Sequence, residues 1–294
     1  MPTPISRRRF LSSTCASMAQ NAQPASSGVA WTEQERLTAA FWEPLNRQMV
    51  NWTGVRPGLR VLDAGCGSGD HVVLFAELLG QCGEVVAVDR RQEALQKVAA
   101  RCRDMPWEAR VQLQLADFRQ LPYPKWHFDI VWVSHALHHL PDIDAHVKEL
   151  RRVVRPGGRL FIREDRPNIR VLPDDVGLSA PGLENRVLQV FVRWLEHDRL
   201  QRGRYPYGWL HALRQAGIDR PQVRSFLYEL SAPFTGSQQA FLRLYLRRRA
   251  EMDGVDPADR SALLRLTDPQ DQHHMFSRDD LHFTSLSTIY WGQA

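Results

Sequence analysis

The chain has 294 residues, 43% of them hydrophobic and 24% charged, with a formal net charge of +5. That length suits one enlarged domain with a large core better than two full domains, and the composition excludes a disordered or fibrous chain. No apolar run reaches the roughly 18 residues of a membrane-spanning helix, and all but three of the 38 basic residues are arginines scattered along the chain, which does not by itself mark a nucleic-acid surface.

Residues 1–30 are poor in apolar side chains and rich in Ser, Ala and Gln, the composition of a disordered basic tail. SRRRFL at 6–11 is similar to the start of a twin-arginine export signal. The weakly apolar stretch after it is short and lacks an A-x-A cleavage site, so a tail or a mis-assigned start is preferred to export. The four cysteines, at 15, 66, 82 and 102, have neither C-x-x-C spacing nor a histidine at ligand distance. They read as reduced thiols of a cytoplasmic protein, with no metal site.

Thr32 and Glu35 are spaced as a capping box for a helix running to about residue 52, which Pro44 is expected to split in two. Trp42 in it either closes over a ligand or packs in the core. Val61 and Leu62 end a buried strand, and Asp63 opens a turn with glycines at 65, 67 and 69. The next helix is stopped by Gly80. Strand, glycine loop and helix make a nucleotide-binding half-unit, in which absent side chains let the backbone approach a ligand. A dinucleotide fingerprint would need glycine at 70, where Asp stands. A carboxylate at 63 repels a pyrophosphate and suits an ammonium or sulfonium. Cys66 fills a loop position that needs a small residue.

The strand 84–89 ends in Asp89, 24 residues after Gly65 and placed to accept hydrogen bonds from both ribose hydroxyls. The stem of Arg90 could lie on the base or stand in solvent. A helix over 92–103 and a strand over 110–116 lead to Asp117 and Phe118. Strand four spans 128–134, so Ser134 and His135 emerge at the carboxyl edge where doubly wound sheets hold ligands. ALHHLPD follows at 136–142. His139 reads as a packed helix-start residue, whereas His135 and His138 face the expected substrate side. A helix over 143–154, a turn RPGG at 155–158 that stops it, and strand five over 159–163 ending at Glu164 and Asp165 complete this half.

Residues 166–220 exceed what a crossover needs and contain helices over 181–199 and 209–216. They read as a helical lid whose aromatics (Phe191, Trp194, Tyr205, Tyr207, Trp209) suit an aromatic or apolar acceptor or the lid's own core. Strand six spans 223–230. A helix over 237–249 ends in the basic run at 247–249, read as a solvated helix end. A short helix over 258–266 and a last strand over 281–292 follow. His273 and His274, adjacent rather than at metal spacing, receive no role.

The D-x-G-x-G-x-G at 63–69 resembles the first motif of class I S-adenosylmethionine-dependent methyltransferases, and matches continue in order to about Glu164. The ALHHLPD string and the RPGG before a strand are similar to the small-molecule branch of ubiquinone and menaquinone biosynthesis. They differ from the N/D-P-P-Y signature of enzymes that methylate nucleic-acid amines. The ending Y-W-G at 290–292 is similar to the last strand of some members.

The resemblance implies an α/β doubly wound, Rossmann-like sheet of seven strands in the order 3-2-1-4-5-7-6, the last antiparallel. Around it the chain divides into the tail at 1–30, a donor-binding core at 31–165, the lid at 166–220 and a completion of the sheet at 221–294. It further implies S-adenosylmethionine as cofactor, held by Asp63, Gly65, Cys66, Gly67, Gly69, Asp89, Arg90, Asp117, Phe118, Ser134 and His135, with Asp117 and Phe118 at the adenine. The expected reaction is in-line transfer of the sulfonium methyl to a small molecule. His135 or His138 would serve as base if the acceptor needs one. No nucleic-acid partner is expected, and the oligomeric state is open. A nicotinamide-dependent oxidoreductase, a non-catalytic donor-binding protein, and a protein or RNA methyltransferase stand as alternatives. They are separable by a cofactor-binding screen, by donor turnover and by salt-dependent RNA binding.

Overall fold

A computed structural model of the chain describes residues 32–103, 105, 110–202 and 205–294. The expectations for the tail, its export motif and Cys15 lie outside them. The strands are β1 (Arg60–Ala64), β2 (Glu84–Asp89), β3 (Arg110–Leu115), β4 (Phe128–Ser134), β5 (Val154–Arg163), β6 (Gln222–Ser231) and β7 (His282–Gln293). They form one sheet in the order β3-β2-β1-β4-β5-β7-β6. The first five are parallel, and β7 runs antiparallel to both β5 and β6, as the resemblance implied.

The near-continuous apolar runs of β1, β2 and β4 follow from burial on both faces. Successive side chains point to opposite sides. Val61, Val85, Ile130, Trp132 and Phe161 feed the core beneath α1 (Glu33–Trp52) and α2 (Asp70–Leu79). Leu62, Val86, Val88, Val131 and Ile162 feed the core beneath α4 (Ile143–Val153) and α6 (Trp209–Gln215). α3 (Gln92–Arg103) packs on β2 and β3. α5 (Leu183–Arg202) stands between β5 and α6 in the chain, and α7 (Gly236–Ala250) and α8 (Pro257–Thr267) lie between β6 and β7.

Two local expectations are corrected. α1 has the capping box, but it continues through Pro44 as one helix. Buried residues on both sides of the proline, Phe41 and Leu45, Met49, Val50, hold both halves to the same core. That burial outweighs the roughly 3 kcal/mol a helix-interior proline costs. The segment RPGG is not a turn after α4, because β5 begins at Val154 and contains it. Val154 pairs with Phe128 and Arg159 with Ile130, a shifted register that leaves the segment as a bulge. The end of the chain satisfies it: Gly157 N–H donates to the Ala294 carbonyl at 2.9 Å, and Ala294 N–H donates to that of Gly158 at 2.9 Å. Gly157, at φ +78°, supplies the left-handed residue.

The two helices of the 166–220 segment part company. α6 buries Ala212 and Leu213 against α4 and the sheet, while α5 reaches toward α7 and the carboxyl edge. No helix among the described residues is long and apolar enough to cross a membrane.

Candidate active site

A cavity of about 760 Å³ opens at the carboxyl edge of β1, β2, β4 and β5, the position at which open α/β sheets hold ligands. Its volume lies high in the range of small-molecule sites.

One end is made by the glycine loop. Gly65 and Cys66 donate their N–H groups to the Val88 carbonyl at 2.7 and 2.9 Å, which ties the loop to the tip of β2. Gly65 has φ +77°, and a Cβ there would lie 2.7 Å from Ala136 Cβ and 2.8 Å from the Phe118 ring. Only glycine fits. Gly67, at φ +52°, has open space where its Cβ would stand, so the backbone itself faces the cavity. Asp89 Oδ2 accepts from Gly67 N–H at 3.0 Å and Oδ1 from Arg91 N–H at 2.9 Å. Arg91, not Arg90, is its ionic partner. Arg90 lines the exposed rim.

Cys66, Asp117, Phe118, Ser134 and His135 also line the cavity. Burial pushes the Cys66 thiol pKa up, which keeps it protonated. Asp117 accepts from Arg119, whose guanidinium holds its carboxyl below the ordinary value.

Asp63 and Gly69 stand back from the cavity wall. Gly69, at φ +83°, starts α2, and a Cβ on it would collide with Val98 at 2.8 Å. It is needed for packing against α3. Asp63 is 1% exposed and its Oδ2 has no hydrogen-bond partner among the described residues. Burial, then the charges of Asp70 and Asp89, push its pKa up to about 8. Carboxylates crowded behind a bare backbone loop disfavour an anion and favour a cation in front of it. The arrangement suits a cationic nucleoside better than a pyrophosphate.

The other end is built from side chains. His138 Nδ1 lies 2.6 Å from Glu164 Oε2, and Glu164 Oε1 accepts from Leu137 N–H at 2.9 Å. The buried carboxylate therefore orients the ring with its proton on Nδ1 and makes Nε2 the basic nitrogen. His135, at φ +51°, places Nε2 3.3 Å from Asp165 Oδ2. Asp165 is committed elsewhere, because it also accepts from Arg163 Nε at 3.1 Å, Ser287 Oγ at 2.7 Å and Thr288 N–H at 2.6 Å. Burial raises its pKa, but His135, Arg163 and Ser287 together bring it down to about 2. Arg163 is itself buried and donates to Asn46 Oδ1 at 2.9 Å. His71 also lines the cavity. Burial, then the charge of Arg163, lower its pKa well below the ordinary value, so it is neutral.

Trp42 packs against Phe241 and Phe283, as core packing of α1 requires, and its side chain also lines the cavity. From α5 come Phe191 and Leu195, from α7 Tyr245 and Arg249, and from β7 Ser285 to Ser287.

The residues that the sequence reading did not assign are mostly at this end. Glu164 and Asp165 were visible at a strand tip, but their pairing with histidines was not. Arg249 corrects the solvated-run expectation, because Arg247 and Arg248 are exposed while Arg249 turns inward.

Residues 62–162 match the family model for a methyltransferase domain. Over 128 residues the chain is 38% identical to the 2-phytyl-1,4-naphtoquinone methyltransferase of Synechococcus elongatus, covering 44% of this chain and 55% of that one. Over 124 residues it is 36% identical to the ubiquinone/menaquinone biosynthesis C-methyltransferase UbiE of Shewanella sp., covering 42% and 48%. The chain thus spans about half the length of the curated relatives it matches. A candidate methyltransferase from Bacillus halodurans superposes with a TM-score of 0.51 at 20% identity over 84% of this chain and 97% of that one. Phosphoethanolamine N-methyltransferase 2 of Haemonchus contortus superposes with a TM-score of 0.51 at 17% identity, over 88% and 57%. Both share the fold.

Proposed function

We propose that this chain, whose residues 62–162 are a methyltransferase domain, uses S-adenosylmethionine to methylate a small-molecule acceptor. One observation carries the reading. A glycine loop backed by buried acids and a carboxylate-oriented histidine open into the same cavity. When bound, S-adenosylmethionine supplies an electrophilic methyl group on a positively charged sulfur.

The chain's own residues then have separable tasks. Gly65, Cys66 and Gly67 present bare backbone to the donor. Asp89, once released from part of its loop contacts, accepts from ribose hydroxyls. Phe118 and Asp117 border the base, and Ser134 and His135 close the slot from β4. The main work is orientation of two bound molecules, which can be worth roughly 7–11 kcal/mol. His138, with Nδ1–H held by Glu164, takes a proton from the acceptor's hydroxyl or acidic carbon at Nε2 as the methyl group arrives. His135 is the weaker candidate for base, because Asp165 is saturated by three other donors and sits 3.3 Å away. One matched relative is named for methylating a naphthoquinone and another for ubiquinone and menaquinone biosynthesis, and the apolar lining suits a flat acceptor of that general kind. A cytoplasmic location follows from where the donor is made.

Isothermal titration with S-adenosylhomocysteine and with NADH tests the reading. Saturable binding of the first alone supports it, and binding of the dinucleotide instead would overturn it. Release of S-adenosylhomocysteine with members of an acceptor panel then identifies the acceptor.

A further inference from the structure

The cavity's cations are not used alike. Arg91 is paired with Asp89 and Arg163 with Asp165, and Arg90 stands at the exposed rim beside Asp89. Arg249 lies on the acceptor side, half-buried, and among the described residues no carboxylate is within ion-pair distance of it. Its guanidinium carbon lies over the Phe191 ring, 3.3 Å from the centroid, and 4.9 Å from that of Tyr245. Nη1 contacts the Met252 sulfur at 3.6 Å, the guanidinium also reaches the Tyr245 hydroxyl, and Nε is buried with no acceptor among the described residues.

A small crevice lined by Glu184, Tyr245 and Arg249 holds the nearby acid. Glu184 accepts from Val171 N–H at 3.0 Å, and burial pushes its carboxyl up to about 7 despite those amides. It is a poor counterion and does not line the main cavity. Arg166, exposed on the same side, adds a second positive charge.

Stacking fixes the plane of a guanidinium and leaves its N–H edge for a carboxylate-like anion. Beside it Trp42, Phe191, Leu195 and Ile169 offer apolar surface. The pattern is one for a molecule with an apolar body and an acidic group. α7 lies outside the matched segment 62–162, so this feature belongs to the part of the chain that sets the acceptor rather than the donor.

We infer that the methyl acceptor is an apolar, planar acid, and that Arg249 binds its carboxylate or equivalent anionic group. This rests on the methyl-transfer reading and narrows it.

The test uses the full chain saturated with S-adenosylhomocysteine and titrated with 1-hydroxy-2-naphthoate and, separately, with 1-naphthol. The expected result is a preference of about ten-fold or more for the acid, the scale of a charge-assisted hydrogen-bonded contact. Arg249→Gln should abolish the preference, and Arg249→Lys should keep part of it. Both variants should bind S-adenosylhomocysteine as the wild type does, which also reports that they fold. Equal binding of the two naphthalenes by the wild type, or binding of neither, overturns the inference and leaves the donor site standing. Loss of S-adenosylhomocysteine affinity in both variants also overturns it, because Arg249 would then hold the donor's carboxylate. A wild type that does not bind S-adenosylhomocysteine sinks this inference and the proposed function together.

Discussion

At the donor end, the cavity is lined by backbone and short side chains drawn from one stretch of chain, between Gly65 and Ala136. The acceptor end draws on α1, the segment after β5, α5, α7 and β7, elements more than two hundred residues apart in sequence. At the donor end the polar groups are already tied to one another: Asp89 to the loop and to Arg91, Asp117 to Arg119. At the acceptor end, His138 has a dedicated carboxylate, whereas among the described residues Arg249 has none within ion-pair distance. A binding pocket reused for one donor can be stiff and local. A pocket that chooses among acceptors can be assembled from long side chains on separate elements far apart in the chain.

If the two ends do separate jobs, substitutions should separate as well. The largest effect is expected from His138→Ala. It removes the base and should lower kcat by about 10²- to 10⁴-fold with little change in donor affinity. Glu164→Gln should lower kcat less and shift the pH–rate profile, since it only orients the ring. A His138→Ala protein with normal kcat at every pH would move the chemistry away from this pair.

Next in size, Asp89→Ala should raise the dissociation constant of S-adenosylhomocysteine about ten-fold or more. It should leave the preference between acceptors unchanged. A change in acceptor preference would break the division between the two ends.

Asp63 gives a third effect with a definite sign. Its folded pKa of about 8 lies above the ordinary 3.8, so the folded state keeps a proton that the unfolded chain releases. Its contribution to stability is intact below about pH 4 and falls as the pH rises toward 8. Asp63→Asn cannot ionise. Without ligand, the variant should melt close to the wild type at pH 4 and above it at pH 8, by up to a few kcal/mol. The same variant should bind the cationic donor more weakly. Thermal melts at the two pH values, with and without S-adenosylmethionine, read both effects. A variant less stable than wild type at pH 8 would mean that the carboxylate has a favourable partner there.

The smallest effect concerns α1, which the acceptor end shares with the core. Pro44→Ala restores a helix donor, but it also frees the unfolded chain. The net gain should be about 1–2 kcal/mol in a denaturant melt, with donor affinity unchanged.

How much of this was legible in the sequence follows the same division. The bounds of β2, α3 and β4, and the loop, came from glycine spacing, apolar runs and a strand-terminal acid, all signals within a few residues, whereas the sheet order came only from the family resemblance that those motifs carry. Cofactor-side residues inherited that legibility. Gly69 and Asp63 stood back from the wall because the motif mixes residues that touch a ligand with residues that let the helix and strand meet, and spacing does not distinguish them. Pro44 and the RPGG segment misled for a different reason. Each is a local breaker, overridden by partners far away: a buried stripe for the first, the chain end for the second. Arg249 was read as one of three like charges, and only packing shows that its side chain turns inward to lie on Phe191 while its two neighbours face solvent. Side-chain recognition built from distant helices leaves no short-range trace.

The most direct test is a calorimetric titration of S-adenosylmethionine into the wild type and into Asp89→Ala at pH 7.5. Saturable binding at one site in the wild type, weakened about ten-fold or more by the substitution, is the expected result. No binding to the wild type, or equal affinity in the two proteins, would contradict a donor site at the glycine loop.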